Sequence, residues 1–342
     1  MPPIEYPITS ELPPDHEDEE SDDVELIAEA GDTIALALSE ADCGMRLDKV
    51  LSTHLPQYSR SRIQQWIEEG HVTVDGKTAR AKTTMFGDES LLVQPQAAAD
   101  AHAYEPEAMA LSIVHEDKTI MVIDKPAGLV VHPGAGNWSG TLQNGLLHYF
   151  PPIADVPRAG IVHRLDKDTS GLMVVAKTMQ AQTDLVRQLQ ARTVHRVYLA
   201  LVWGTPQSGG KVDAAIGRHP RERIKMSVQN NLTAKPAVTH YRRLASGMLD
   251  GKPVSLLRCE LETGRTHQIR VHMQSLGFAL VGDALYGKPH LVSAFGRQAL
   301  HAYRLGLVHP TSRKDCEWQA PVPEDFAGLL ERAGIALDTT GA

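Results

Sequence analysis

Short apolar stretches separated by turn residues recur through the C-terminal two thirds of the 342-residue chain. Such stretches predict strands, and they lie at residues 111–114, 120–123, 172–176, 198–203, 238–244 and 255–261. Apolar side chains recur at helical spacing in residues 180–191 and 266–276, which predicts two helices. Because strands and helices do not alternate regularly, the pattern favours an α+β fold with a mixed or antiparallel sheet over a doubly wound fold.

A different pattern occupies residues 44–95 and predicts a separate small domain. Residues 61–64 have the spacing of a capping box, and the helix that they open carries Ile63, Trp66 and Ile67 on its apolar face. An alternating strand at residues 71–77 contains an Asp-Gly pair, which predicts a hairpin turn.

The charge is distributed unevenly, which changes how the net charge of −8 is interpreted. Residues 1–45 hold 14 of the 42 Asp and Glu residues and none of the 34 Lys and Arg residues, so the rest of the chain carries a net charge of +6. The acidic segment lacks the apolar content for folding, which predicts disorder to about residue 32, followed by a strand at 33–38. The basic remainder suits a polyanionic partner.

No apolar run is long enough to span a bilayer, and the N-terminus lacks the basic and then apolar pattern of a signal peptide. We therefore expect a soluble cytoplasmic protein without a membrane partner. The expected organisation is an acidic, largely disordered tail over 1–42, a small domain with a linker over 43–103, a large domain over 104–335 and a C-terminal tail over 336–342.

The sequence carries no signature of a bound cofactor. The three cysteines, Cys43, Cys259 and Cys316, form no Cys-x-x-Cys pair for zinc or redox chemistry. Neither a Gly-Lys-Ser/Thr phosphate loop nor dinucleotide-binding glycine spacing is present. We expect a reaction that needs neither a cofactor nor a metal.

The strongest candidate for chemistry is the polar cluster His163-Arg164-Leu165-Asp166-Lys167-Asp168. It stands between two apolar stretches, 159–162 and 171–177, which both predict short buried strands, so Asp166 lies where a strand leaves the core. The similar tetrapeptide at 46–49 lies in a helical pattern that predicts a solvated outer face for Asp48 and Lys49.

Two further groups of residues in the large domain could contribute to a site. In the strand at 194–204, alternation places Arg196, Tyr198 and Ala200 on one face, where a phenol among smaller neighbours leaves room for a flat ligand. Arg265 stands at a strand-to-helix junction, where a guanidinium could hold a carboxylate in a bidentate pair. For Tyr198 a sheet-packing role is equally open, and for Arg270 the alternative is a surface charge.

Together these residues resemble a known family. The segment 163–172 joined to Tyr198, 235–237, 262–270 and 297–302 is similar to the RluA family of RNA pseudouridine synthases, over residues 111–322. Residues 44–95 resemble the S4 RNA-binding module, and this module together with the segment 151–160 is typical of members that modify 23S ribosomal RNA.

The resemblance implies a mixed or antiparallel catalytic sheet with flanking helices and no cofactor or metal. It implies that Asp166 is the catalytic aspartate, acting as a nucleophile or as a base at C2′, that Tyr198 is the active-site tyrosine, and that Arg265 is the basic partner of Asp166. The implied substrate is a uridine in 23S ribosomal RNA or a large-subunit assembly particle, with helix 69 as the expected target, and the protein is expected to be a monomer. The expected RNA contacts are His163, Arg164, Arg60, Arg62, Lys77, Arg196, Lys235 and Arg270.

Other functions stay open on the sequence alone. Within the family, another ribosomal site or transfer RNA could be the target. Outside it, the chain could be a non-catalytic RNA-binding protein of ribosome assembly, or a hydrolase that uses Asp166 and Asp168 as paired acids or metal ligands. A triad of His163, Asp166 and Ser170 is also possible, although the Gly-x-Ser-x-Gly turn is absent.

Overall fold

The computed structural model of the chain describes residues 33–58, 60–96, 104–134, 136–222 and 224–336. The chain divides into two compact units, Met1–Ala101 and His102–Ala342. The predicted disorder up to residue 32 and the predicted linker composition of 97–103 lie outside the described residues.

The described part of the first unit is a four-stranded antiparallel sheet in the order β1-β4-β2-β3, packed against two helices. Its elements are β1 (Ile34–Ala37), α1 (Leu47–His54), α2 (Arg60–Glu68), β2 (Val72–Val74), β3 (Lys77–Thr78) and β4 (Ser90–Val93). The strand predicted at 33–38 is confirmed as β1. The predicted capping box is wrong, because α2 begins at Arg60 and Ser61 therefore lies inside the helix.

The core of the first unit follows the predicted pattern. Ile63, Trp66 and Ile67 of α2 are all buried against the sheet. The hairpin between β2 and β3 turns through Asp75 and Gly76, whose φ angles of 49° and 74° are those of the left-handed region. Asp-Gly is a favoured pair for this turn because its twist matches that of the strands.

Asp48 lies inside the first unit and not on a solvated face as predicted. Its side chain is fully buried and accepts hydrogen bonds from Arg46 (2.9 Å), Arg60 (2.9 Å) and Gln64 (2.7 Å). Although burial alone would raise it, these donors lower the pKa of Asp48 to about 2. The carboxylate therefore joins α1 to α2, since Arg60 and Gln64 both belong to α2.

We expect Asp48→Asn to loosen the pairing of α1 with α2 by about 2 kcal/mol at pH 7, because charged hydrogen bonds are replaced by neutral ones. A carboxyl group with a lowered pKa stabilises the fold above its unfolded pKa near 4, and this stabilisation is lost as the pH falls towards 2. Hydrogen exchange over residues 47–68 should show the difference at pH 7 and its loss in acid. The exposed neighbour Lys49 supplies the control, Lys49→Gln; equal protection in both variants at pH 7 would contradict the assignment.

Within the described residues, the second unit contains a nine-stranded sheet in the order β5-β6-β7-β14-β8-β13-β12-β9, with β15 paired to β14. All pairs are antiparallel except β7 with β14. The elements of the second unit are β5 (Ile113–Glu116), β6 (Ile120–Lys125), α3 (Leu142–Tyr149), β7 (Ser170–Ala176), α4 (Met179–Gln190), β8 (His195–Trp203), β9 (Gly209–Asp213), β10 (Ile216–Arg218), β11 (Met226–Val228), β12 (Val238–Leu249), β13 (Lys252–Leu261), α5 (Gln268–Ser275), β14 (Leu300–Val308), β15 (Asp315–Gln319) and α6 (Glu324–Arg332). Strands β10 and β11 pair with each other in a separate two-stranded sheet. This mixed sheet with helices confirms the predicted α+β class.

The central strand β8 shows how the sheet forms two separate packing faces. Tyr198 and Ala200 belong to one buried apolar cluster, whereas Leu199 and Leu201 belong to another. The predicted alternation of β8 is therefore confirmed. Because both faces are covered, a polar side chain on this strand points into packed surroundings unless a neighbouring loop leaves an opening.

One predicted strand is absent. Residues 159–162 were expected to form a strand, but the structure has a short 3-10 turn, Pro157–Gly160, followed by a single bridge from Ile161 to Val175. Arg158, Ala159 and Gly160 all have positive φ angles. A Cβ atom at Gly160 would lie 1.8 Å from the carbonyl oxygen of Ala176, so the close approach to β7 requires glycine.

Candidate active site

A buried lysine anchors the loop that carries Asp166. Lys125, at the end of β6, is fully buried, and its Nζ donates to the carbonyl oxygens of Pro126 (2.8 Å), Leu129 (2.9 Å) and Lys167 (2.9 Å). Burial lowers the pKa of Lys125 to about 8. Because Lys167 directly follows Asp166, these bonds fix the backbone beside the candidate catalyst.

The segment that directly precedes β14 also holds this loop in place. Arg297 donates to the carbonyl oxygen of Asp168 (3.1 Å), and Gln298 donates to the hydroxyl of Thr169 (3.2 Å). Arg297 is itself held by a bidentate pair with Asp325 at 2.7 and 3.0 Å. The loop is thus a rigid support, which positions a side chain more accurately than a free loop does.

Asp166 is paired with an arginine, but not with the one that was predicted. Its side chain is 20% exposed, and Oδ2 accepts a hydrogen bond from Nη1 of Arg270 at 3.0 Å. Arg265 is exposed, and its Nε donates to the carbonyl oxygen of Pro236 (3.2 Å). The implied pairing with Arg265 is wrong because α5 begins only at Gln268, which leaves Arg265 outside the helix and places Arg270 in its first turn.

Arg270 was predicted to contact RNA, yet it is buried between two carboxylates. Its Nε and Nη2 form a bidentate pair with the fully buried Asp283, at 2.7 and 3.0 Å. Burial alone would lower the pKa of Arg270, but the carboxylates of Asp283 and Asp166 raise it. Burial alone would raise the pKa of Asp283, but Arg270 and the backbone N–H groups of Leu285 and Tyr286 lower it. Arg270 thus binds Asp283 through Nε and Nη2, and Asp166 through Nη1.

Tyr198 lies close enough to Asp166 for the two groups to influence each other. The tyrosine is 6% exposed, and burial raises the pKa of its phenol, Arg196 lowers it and Asp166 raises it further. The phenol therefore stays protonated near neutral pH in the free protein. The two residues that the sequence assigns to one site therefore lie within electrostatic reach of each other.

Two residues predicted to contact RNA are used inside the fold instead. Nε2 of His163 accepts a hydrogen bond from the backbone N–H of Val174 at 3.1 Å, and burial together with the charge of Arg196 lowers the pKa of His163 to about 3. Arg196 is 8% exposed and donates to the carbonyl oxygen of Glu262 (3.3 Å). Both side chains are thus engaged in hydrogen bonds within the fold; Arg196 is buried and His163 is half-buried.

The other predicted RNA contacts fall into two groups. Arg62 is buried, with its guanidinium carbon 5.7 Å from the ring of Tyr58 and 5.5 Å from that of Trp66, so it serves the core of the first unit. The remaining candidates are all at least partly exposed, and they are Arg60, Lys77, Arg164 and Lys235. Burial is the main cause of the lowered pKa of His267, and the charge of the exposed Arg164 lowers it further, so Arg164 lies within electrostatic reach of the site.

Three residues that support the site were missed by the sequence analysis: Lys125, Asp283 and Tyr286. The ring centroid of Tyr286 lies 5.0 Å from the guanidinium carbon of Arg270. The available signals were a lysine two residues beyond an apolar stretch and an acidic residue between glycines in the segment 280–287. A charged residue in such surroundings is buried only when it has partners.

The Ser-His-Asp triad loses its structural basis. Ser170 is buried and bonded to Nδ1 of His301 at 3.0 Å, so it does not form a triad with His163 and Asp166. Among the described residues, no group of three or more His, Cys, Asp or Glu side chains is arranged to hold a metal ion. No helix in the described part of the chain is long and apolar enough to cross a membrane.

A partly exposed carboxylate fixed by an arginine, next to a phenol, suits chemistry on a sugar that carries a flat base. Residues 119–275 match the profile of the RNA pseudouridylate synthase family, and residues 45–84 match that of the S4 domain. The chain belongs to the RNA pseudouridylate synthase family and is an enzyme of that class.

Relatives named ribosomal large subunit pseudouridine synthase D are similar to nearly the whole chain. The protein of Nitrosomonas europaea is 52% identical over 87% of this chain and 87% of its own length. That of Neisseria meningitidis serogroup B is 49% identical over 95% of this chain and 90% of its own length. That of Escherichia coli K12 is 49% identical over 87% and 93%.

Solved structures agree with the family. Human RNA pseudouridylate synthase domain containing 1 aligns with a TM-score of 0.52 and 33% identity, over 64% of this chain and 86% of its own. Human RNA pseudouridylate synthase domain containing 4 aligns with a TM-score of 0.53 and 25% identity, over 66% and 94%.

Proposed function

We propose that this enzyme converts uridines of the large-subunit (23S) ribosomal RNA to pseudouridine, with its targets in the helix 69 stem-loop. The observation that carries the proposal is the extent of the similarity: proteins named for the large ribosomal subunit align over 87% to 95% of this chain. The S4 match and the net charge of +6 beyond residue 45 support an RNA partner. The enzyme acts in the cytoplasm on the RNA or on an assembly particle.

The reaction is an isomerisation. The N1–C1′ bond breaks, the uracil turns, and a C5–C1′ bond forms; the C5 hydrogen leaves and N1 gains one. Asp166 supplies the carboxylate that acts on the ribose, and Arg270 orients it through the 3.0 Å hydrogen bond.

Tyr198 supports the base in this assignment. It stacks on the detached uracil and relays the C5 proton to solvent at the end of the reaction, since its hydroxyl gives up its own proton to water as it takes the one from C5. A uridine within stacked RNA must be flipped out to reach Asp166, which costs a few kcal/mol. The exposed Arg164 lies beside the site, where its charge suits the phosphate backbone around the flipped nucleotide.

The test is to express the chain in bacteria that lack their own large-subunit pseudouridine synthases and to map pseudouridine in all stable RNA. We expect new pseudouridines in helix 69 of 23S ribosomal RNA with the wild-type chain and none with Asp166→Asn. Modification confined to transfer RNA, or to other ribosomal sites, would contradict the proposed target.

A further inference from the structure

His267 lies next to Asp166, and its backbone conformation is unusual for a residue that directly precedes a helix. It precedes α5 with φ 57° and ψ 21°, in the left-handed region that only a few per cent of non-glycine residues enter, Asn, Asp and His among them most often. Its Nε2 is 4.0 Å from Oδ1 of Asp166, and its side chain is 19% exposed. Unusual backbone conformations of this kind concentrate at functional sites.

The neighbours of His267 determine which ring nitrogen carries the proton. Nδ1 lies 2.8 Å from the hydroxyl oxygen of Tyr286, and that oxygen accepts a hydrogen bond from the backbone N–H of Met226, also at 2.8 Å. The phenol proton is therefore free to be donated to Nδ1. Because burial lowers the pKa of His267, the ring is neutral at pH 7, and its own proton then lies on Nε2.

The Nε2–H group is not used by Asp166. A separation of 4.0 Å is too long for a hydrogen bond, and the other carboxylate oxygen is bonded to Arg270. The site thus presents a neutral N–H donor, fixed in its tautomer and partly exposed, beside the carboxylate that acts on the ribose.

We propose that His267 is a further catalytic residue, whose Nε2–H donates a hydrogen bond to O2 of the flipped uracil while the N1–C1′ bond breaks. This role rests on the proposed action of Asp166 at the ribose. The electron pair of the broken bond remains with the uracil and is shared by N1 and the carbonyl oxygens. O2 is the carbonyl oxygen next to N1, so it lies near the ribose carbon that faces Asp166, and a neutral donor stabilises it without transferring a proton.

The experiment compares two substitutions that place an amide N–H at different positions. The side chain of glutamine reaches the position of Nε2, whereas that of asparagine reaches only the position of Nδ1 and also tolerates the left-handed backbone. We expect His267→Asn to lower the single-turnover rate at saturating RNA by about 10²-fold, as when one oxyanion donor is removed, with RNA affinity unchanged within twofold. His267→Gln should recover at least about tenfold of that loss.

Three controls make the result decisive. Tyr286→Phe keeps the ring over Arg270 but removes the hydroxyl that fixes the tautomer of His267. We expect it to lower the rate by about tenfold. The exposed His148 offers the matched change His148→Asn, which should leave the rate unaltered. A target stem-loop with 2-thiouridine, whose sulfur is a weak acceptor, should slow the wild-type enzyme while adding little to the defect of His267→Asn.

The proposal fails if His267→Asn keeps a rate within threefold of wild type, if only its RNA affinity falls, or if glutamine rescues no better than asparagine. Independent, multiplicative losses from His267→Asn and 2-thiouridine would exclude O2 as the acceptor. An inactive Asp166→Asn alongside an active His267→Asn would overturn this role alone, whereas an active Asp166→Asn would overturn the assignment of the site itself.

Discussion

Replacing Asp166 by asparagine is expected to abolish tritium release from target RNA labelled with [5-³H]uridine. The rate should fall by about 10⁴-fold or more, a loss typical of removing a group that acts directly on the reacting atoms. Asparagine has the same shape and can still accept a hydrogen bond from Arg270, but its amide can act neither as a nucleophile nor as a base. The measurement is single-turnover tritium release at saturating RNA.

The control lies two residues away. Asp168 contributes its backbone carbonyl to Arg297, and this bond survives the change Asp168→Asn. We expect Asp168→Asn to keep activity within tenfold of wild type, while both variants bind RNA within twofold of it. Equal loss in the two variants would indicate a pair of acids, as in the hydrolase hypothesis, and full turnover by Asp166→Asn would remove the proposed mechanism.

The features of the site on which sequence and structure agree depend on short-range patterns. Asp166 stands between apolar stretches, and the alternation of β8 places Tyr198 and Leu199 on opposite faces. The alternation of β8 has the period of a strand, and both features can be read from a few neighbouring residues. The family resemblance added Tyr198 as the partner of Asp166, but it named Arg265 where the structure has Arg270.

The errors concern contacts between distant segments. Asp166 and Arg270 are separated by 104 positions, and which arginine reaches the carboxylate depends on where α5 begins. The left-handed residue His267 delays the helix to Gln268, and no periodic pattern shows such a residue. Asp48 was misplaced for a similar reason, because its burial depends on Arg60 and Gln64 of the next helix.

Arg270→Met is expected to be the most destabilising of the changes at the site. Asp283 is fully buried and would lose its bidentate partner, and breaking a buried ion pair by removing one member costs about 3–5 kcal/mol. Tritium release should fall by about 10²-fold or more as well, because Asp166 loses its orientation. Urea unfolding of the full chain and single-turnover kinetics measure the two effects separately.

The stability difference between the wild type and Arg270→Met is expected to depend on pH. In the wild type, Arg270 lowers the pKa of Asp283, so its stabilisation is present at neutral pH and is lost as the pH falls below about 4. Without Arg270, burial raises that pKa, so the variant becomes less stable as the pH rises above the unfolded pKa. The stability difference between the two proteins should therefore be small in acid and largest at neutral pH.

Removing the unpaired charge should restore the fold but not the reaction. In Arg270→Met with Asp283→Asn, the asparagine oxygen can still accept from the backbone N–H groups of Leu285 and Tyr286, which donate to Asp283 at 3.0 Å. We expect this double variant to regain more than half of the lost unfolding free energy while tritium release stays low. Recovery of activity with stability would mean that Arg270 serves only the fold, and that Asp166 needs no basic partner.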